Sequence, residues 1–351
     1  ALPLLLLAAC SADDAESGSV RGDGNGENQK IRFTTSVATP VSGDGGTTRS
    51  WADTYNESLP DEAFIYVYLY AYENENAGAI DLAHHQLSLS EVTPWIYQTQ
   101  AVDPTSGRSP LVQTYPTAAQ TSSGDADDAI PVFPYNNENC YVDAIAIFLP
   151  AGISDVASSS HSSYSNTSGI FTFTVPTDQI TSAAVVSADL LSSDAVTTFK
   201  SNASAINLEM KHRMAKVLVV FNPTEDLTAA NMPTTNYSVQ NVQITRKLTI
   251  QSGEVETTGS TSTITAKVGE PFFMPPQTIT AETELLKFDL RNIGGAETGI
   301  KNVTLKTKAD LEFQEGVYYV LTVNVGVRYI TLTTTIKAWT DETVNFDKII
   351  L

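Results

Sequence analysis

Residues 317–338 read VYYVLTVNVGVRYITLTTTIKA, and the spacing of the apolar side chains in this stretch decides the fold class. Val317, Tyr319, Leu321, Val323, Val325 and Val327 occupy alternate positions. Ile330, Leu332, Thr334, Ile336 and Ala338 do the same against Thr331, Thr333, Thr335 and Lys337. A period of two belongs to a strand, so the stretch predicts two consecutive strands joined at a tight turn.

The same reading extends in both directions. In Phe64–Tyr72 the aromatic residues Phe64, Tyr66, Tyr68, Tyr70 and Tyr72 share one face and Ile65, Val67, Leu69 and Ala71 the other, as expected of a central strand covered on both sides. Val142, Ala144, Ile145, Ile147 and Phe148 predict another buried strand. Phe171 to Val175 is strand-like, and Val217 to Phe221 is β-branched enough to favour strand, while helix and strand compete over Leu208–Lys216. Near the start, Ile31, Phe33, Thr35 and Val37 alternate with Arg32, Thr34, Ser36 and Ala38. At the end, Val344, Phe346 and Ile350 alternate with Asn345, Asp347 and Ile349, a terminal strand that has to pair with something.

Between these strands, residues 99–130 carry Pro104, Gly107, Pro110 and Pro116 and read as a polar insertion, and Ser-rich residues 153–169 read as a long loop. No long helical periodicity appears. The expected architecture is therefore all-β, two tandem Greek-key β-sandwich domains over residues 31–203 and 204–351. A length of 351 residues agrees with two cores of about 150 residues each.

Forty acidic against 20 basic residues give a formal charge of -20, which repels phosphate backbones and argues against nucleic-acid binding. Catalytic signatures are missing: the sequence has no His-Glu-x-x-His, no Gly-x-Ser-x-Gly, no phosphate-binding Gly-rich loop and no Cys/His cluster. No enzyme activity, cofactor or metal is expected. His84 and His85 are adjacent and would point to opposite faces of a strand, so they cannot chelate one ion together. Asp23-Gly24-Asn25-Gly26-Glu27 lacks the Gly and Glu that a calcium loop requires at its sixth and twelfth positions. His212 reads as a structural residue at the domain junction. A hydrolase with paired carboxylates stays open as a minor alternative, because 40 acids make chance pairs common.

The first residues point to the cell surface. Leu2 to Ala9 is apolar but too short to span a bilayer, and it ends in Leu7-Ala8-Ala9-Cys10. Small residues before a cysteine form a lipobox, so residues 1–10 are expected to be the truncated end of a lipoprotein signal peptide, with Cys10 receiving the lipid. Residues 11–30 are polar and Gly/Asp/Glu-rich, the composition of a disordered tether. Ser11-Ala12-Asp13-Asp14 resembles the acidic export signals of surface lipoproteins in the Bacteroidetes. Lipidation of Cys10 would leave Cys140 without an intrachain disulfide partner, and its role stays open.

Several segments taken together carry a resemblance: the lipobox, Ile31-Arg32-Phe33 followed by Thr48-Arg49-Ser50, His212-Arg213-Met214-Ala215-Lys216 within Leu208–Val219, Pro275-Pro276-Gln277, Gly316-Val317-Tyr318-Tyr319, and Ile336-Lys337-Ala338-Trp339. In order and spacing they resemble the fimbrillin family of Bacteroidales, the subunits of type V pili. The resemblance implies transthyretin-like β-sandwiches, export as a lipoprotein to the outer membrane, cleavage by a trypsin-like Arg-specific protease, and polymerisation with other pilus subunits by donor-strand exchange, in support of adhesion. Arg49 matches the cleavage arginine; it follows a Gly-rich loop, and cutting there would discard Cys10 together with the strand of Ile31, Phe33, Thr35 and Val37. Val344, Phe346 and Ile350 of another subunit would refill the vacancy. Stalk, tip and anchor roles stay open. So does a non-polymerising surface lipoprotein that binds glycans or host proteins through loops such as 99–130.

Overall fold

The computed structural model describes residues 30–38, 59, 63–72, 95–106, 108–115, 131, 133, 140–148, 161–165, 168–202, 205–224, 227–291, 300–327, 329–337, 343–345 and 349–350. Cys10, the tether, Arg49 and its preceding loop, and Phe346 lie outside the described residues.

Among the described residues the chain is built of strands, apart from one short α-helix and two single-turn 3-10 helices at Lys200–Asn202 and Ala229–Asn231. The first are β1 (Phe33–Val37), β2 (Phe64–Tyr72), β3 (Trp95–Thr99), β4 (Ser109–Tyr115), β5 (Tyr141–Phe148), β6 (Ser162–Ser165), β7 (Ile170–Thr174) and β8 (Asp178–Gln179). After α1 (Ser182–Val186) come β9 (Leu191–Ser193), β10 (Val196–Phe199), β11 (Ile206–His212), β12 (Ala215–Pro223), β13 (Asn236–Thr249) and β14 (Glu254–Lys267). The last are β15 (Phe272–Met274), β16 (Gln277–Ile279), β17 (Glu284–Arg291), β18 (Ile300–Lys306), β19 (Leu311–Phe313), β20 (Tyr318–Val325), β21 (Ile330–Lys337), β22 (Thr343–Asn345) and β23 (Ile349–Ile350). The all-β expectation is met, and β20 and β21 are the hairpin read from 317–338, in register from Tyr318↔Lys337 to Val325↔Ile330.

The first sheet runs β10-β5-β2-β3-β4-β1-β11-β9, and β9 pairs with β5 as well as β11, so hydrogen bonding returns to where it began. The ring β5-β2-β3-β4-β1-β11-β9 is closed, while β10 stays outside it, paired with β5. Both faces are covered, as the alternation in β2 predicts. Ile65 and Val67 enter one buried cluster with Phe33, Tyr97, Leu208 and Met210, whereas Tyr66, Tyr68 and Tyr70 enter a second with Ile145, Phe171 and Phe173.

A second sheet runs β18-β17-β13-β14-β8, with β7 also on β13 and β6 on β7; a third runs β15-β12-β20-β21-β22, with β23 also on β21. Hydrogen bonding thus crosses the expected division after residue 203. Strands β6, β7 and β8 precede it yet belong to the sheet of β13 and β14, and β11 follows it yet lies between β1 and β9. Periodicity identifies a strand but not its partner, which is why this exchange is invisible in the sequence.

Two readings of loops are corrected. Ser109–Tyr115, inside the expected insertion, forms β4; Pro110 has no N–H to give but accepts from Gln100 N at 2.9 Å, so its place in the sheet leaves no donor unpaired. Ser162–Ser165, inside the expected Ser-rich loop, forms β6, where Tyr164 packs its ring 4.9 Å from that of Tyr68.

Candidate assembly site

The leading strand β1 is central in its sheet. It pairs in parallel with β11, from Phe33↔Ile206 to Val37↔Met210, and antiparallel with β4 at Thr34↔Pro110 and Thr35↔Ser109. Backbone bonds continue at both ends, Ile31 N donating to Pro131 O, Ile206 N to Arg32 O and Ala38 N to Met210 O, each at 2.8 Å. The structure brings together the four residues expected to be removable: Ile31, Phe33, Thr35 and Val37 are all buried, at 4%, 3%, 2% and 5% exposure. Thr35 is polar, and it is satisfied because its Oγ1 donates to Leu208 O at 2.9 Å.

Sequence reasoning did not find the floor beneath these side chains. Phe33 meets the edge of the Tyr97 ring at a centroid separation of 5.3 Å, and burial raises the Tyr97 phenol pKa well above its ordinary range. Ile206, Leu208 and Met210 come from β11, and Phe133, Leu59 and Cys140 complete the cluster. Cys140 is fully buried within this cluster.

The tail lies at the far side of the molecule's third sheet. Val344 falls in β22, opposite Ile336, and Ile350 in β23, opposite Thr331. The two short strands differ in register by one residue: Ile336↔Val344 and Leu332↔Ile349 cannot belong to one uninterrupted antiparallel ladder. Such a pairing is held by few bonds, and it occupies the edge of β21.

A further feature is an ionic joint in which buried cationic side chains meet partly exposed carboxylates. His212, the last residue of β11, has Nδ1 2.8 Å from Asp189 Oδ2, with both side chains 4% exposed. Arg213 donates from Nε to Ser192 Oγ at 2.7 Å, from Nη2 to Ser193 O at 3.0 Å and Asp194 Oδ1 at 2.7 Å, and from Nη1 to Glu315 Oε1 at 3.1 Å. The other oxygen of Glu315 accepts from Arg246 Nη2 at 2.5 Å. Burial lowers the Arg246 pKa, and the Glu315 carboxylate opposes that shift. Next to Glu315, Gly316 turns the chain at φ +68°, donating N–H to Met214 O at 2.9 Å. The His212–Lys216 and Gly316–Tyr319 motifs are therefore the two halves of one corner, further fastened by Lys216 over the Tyr318 ring at 4.7 Å.

Gln277 of the Pro275-Pro276-Gln277 motif has an equally local explanation. Its Oε1 accepts from Gln243 N at 2.8 Å and its Nε2 donates to Gln243 O at 3.0 Å, replacing a strand partner where the β13/β14 register shifts. Gln179 does the same for Phe273, at 2.9 and 2.8 Å. Among the described residues no group of three or more His, Cys, Asp or Glu side chains is placed to hold a metal ion. No helix among them is long and apolar enough to cross a membrane.

Residues 96–339, which include every part of this joint and strands β12, β20 and β21 of the third sheet, match the family described as fimbrillin-like. The chain belongs to the fimbrillin-like family. A likeness in fold to solved structures extends beyond the matched residues. A candidate cell adhesion protein from Bacteroides ovatus shares 15% identity over 90% of this chain and 99% of its own, with a TM-score of 0.54. Another from Bacteroides uniformis shares 14% over 89% and 98%, with a TM-score of 0.51. At such identities the likeness concerns the fold alone. No curated protein matches the chain.

Proposed function

We propose that this fimbrillin-like chain is a structural subunit of a cell-surface pilus, that it works by assembly and not by catalysis, and that its leading strand is exchanged for the tail of a neighbouring copy. The observation that carries the reading is the position of β1: a short strand at the chain's beginning lies centrally in a sheet, between β4 and β11, both of which follow it in sequence. Cleavage at Arg49 would free β1 from everything after it.

Removing β1 would expose the floor of Tyr97, Ile206, Leu208 and Met210 and strand the backbone groups of β4 and β11 that it now pairs. Burial of Ile31, Phe33 and Val37 stabilises by roughly 1.5–3 kcal/mol per side chain, so the vacancy favours any strand of matching pattern. The tail has that pattern. Val344, Phe346, Lys348 and Ile350 repeat the spacing of Ile31, Phe33, Thr35 and Val37, with phenylalanine second and a polar residue third in both. In its own chain the tail is tied up on β21, so donation requires it to peel from that edge. Donor and acceptor surfaces differ, so the contact runs head to tail and generates a filament.

In this reading the chain comprises two transthyretin-like β-sandwich modules meeting at the Arg213–Glu315–Arg246 joint. It reaches the outer membrane as a lipoprotein on Cys10 and leaves that anchor on processing. The test is digestion of the full chain with an Arg-specific protease, followed by mass spectrometry and electron microscopy. A new N-terminus at Ser50 with filaments is expected, and no filaments after deletion of residues 344–351. A trimmed chain that stays monomeric under all conditions would instead identify a non-polymerising surface protein.

A further inference from the structure

Away from the assembly site, the outward face of the second sheet carries a cleft of about 410 Å3 lined by Asn236, Ser238, Lys287, Asp289, Asn302 and Thr304. The register sets these side chains in rows: Thr304 lies opposite Lys287 and Lys287 opposite Ser238, while Asn302 lies opposite Asp289. Strands β13 and β17 pair only at Ser238↔Lys287 and Val239↔Leu286, so Asn236 and Asp289 lie past the last shared pairing. Beyond that point β17 stays paired with β18 as far as Arg291↔Ile300, and Asn231 Nδ2 donates to Arg291 O at 2.9 Å.

Some outward polar side chains elsewhere in the molecule pair across strands, as Asn222 does with Asn324 at 2.8 Å and Thr263 with Gln240 at 3.2 Å. In the cleft, the side chains of Asn236, Ser238, Asp289, Asn302 and Thr304 make no hydrogen bond to another side chain among the described residues. Lys287 has Nζ 3.2 Å from Glu284 Oε2, which offsets its charge. The lining thus offers donors and acceptors side by side, with little net charge.

We propose that this cleft binds a neutral saccharide. Each sugar hydroxyl donates and accepts at once, so it needs a mixed lining of amides, hydroxyls and a carboxylate. An anion would face Asp289, and an apolar ligand would find no exposed ring, since Tyr237 and Phe288 are buried in the core. Asp289 and Asn302, directly opposite on neighbouring strands, are about 5 Å apart at Cβ, close enough to engage adjacent hydroxyls of one ring. Neutral hydrogen bonds exchanged against water contribute little each, so the monovalent affinity should be millimolar. A filament that repeats the site, a step that rests on the assembly reading, would multiply it by avidity.

The experiment uses the full-length monomer, so failure of filament assembly does not affect it. The chain is screened on an array of neutral and anionic glycans, and the best neutral saccharide is titrated by NMR against the wild type, Asp289→Ala/Asn302→Ala, and Thr304→Trp, which fills the cleft without deleting a partner. Both variants are expected to weaken binding about tenfold or more, with an unchanged thermal midpoint. The proposal is overturned by no binding of any neutral glycan at about 10 mM, by selective binding of anionic glycans, or by binding that survives both variants. If one variant loses its fold, the other decides.

Discussion

Replacing Phe33 by alanine separates a strand that merely packs from one that is later discarded. Phe33 is 3% exposed and sits edge-on to Tyr97 at 5.3 Å within a closed sheet, so the cavity left behind has little freedom to collapse. Truncation of a buried phenylalanine costs about 3–5 kcal/mol, of which the ring pair accounts for about 0.5–1.5 kcal/mol. The unprocessed chain should therefore lose about 3–4 kcal/mol in urea unfolding, with its midpoint lowered and its slope unchanged. A chain processed at Arg49 no longer contains residue 33, so the same substitution should leave its stability and its filaments as they were. A loss below about 1 kcal/mol in the unprocessed chain would refute the packing argument. An equal loss in both forms would refute the removal of β1.

Glu315→Gln leaves the buried Arg213 and Arg246 guanidinium groups without their shared carboxylate; because Glu315 is itself 41% exposed, water recovers part of the loss, and about 2 kcal/mol of destabilisation is expected in urea unfolding. Gln277→Ala removes both partners of the Gln243 backbone, which should cost about 1–3 kcal/mol and raise hydrogen exchange at the Gln243 amide specifically. Asp194 governs part of the acid limb: burial pushes its pKa up, but hydrogen bonds from Lys211 and Arg213 outweigh this and hold it below the ordinary value. Its stabilisation is present above the unfolded pKa of about 3.9 and is lost as pH falls through the lower folded value, so Asp194→Asn should flatten the stability-versus-pH curve in that window.

Period-two alternation was sufficient to read β1, β20 and β21 in the sequence, while β2 and β5 were legible as apolar runs covered on both faces. Strand β4 was hidden because Pro110 and its polar neighbours resemble a loop, and β6 because a run of serines carries no apolar signal. Long-range partners were also hidden. Arg213 and Glu315 are 102 residues apart and Arg246 and Glu315 are 69 apart, so no local pattern announces the joint they form. Phe33, Thr35 and Val37 of β1, with Ile31 just before it, were legible, but their floor was not, since Tyr97 and Met210 come from strands whose pairing only the fold reveals. Cys10, Arg49 and Phe346 rest on sequence reasoning alone.

Disulfide trapping tests the exchange of strands most directly. Aligning Val344–Ile350 on Ile31–Val37 puts Asp347 in the place of Thr34, whose neighbour on β11 is Asn207, and neighbouring strands run about 4.8 Å apart, within disulfide reach. Processed subunits carrying Asn207→Cys, mixed with subunits carrying Asp347→Cys and oxidised, should form a disulfide between two different chains as filaments grow. Filaments that grow normally while no such link appears would contradict the account.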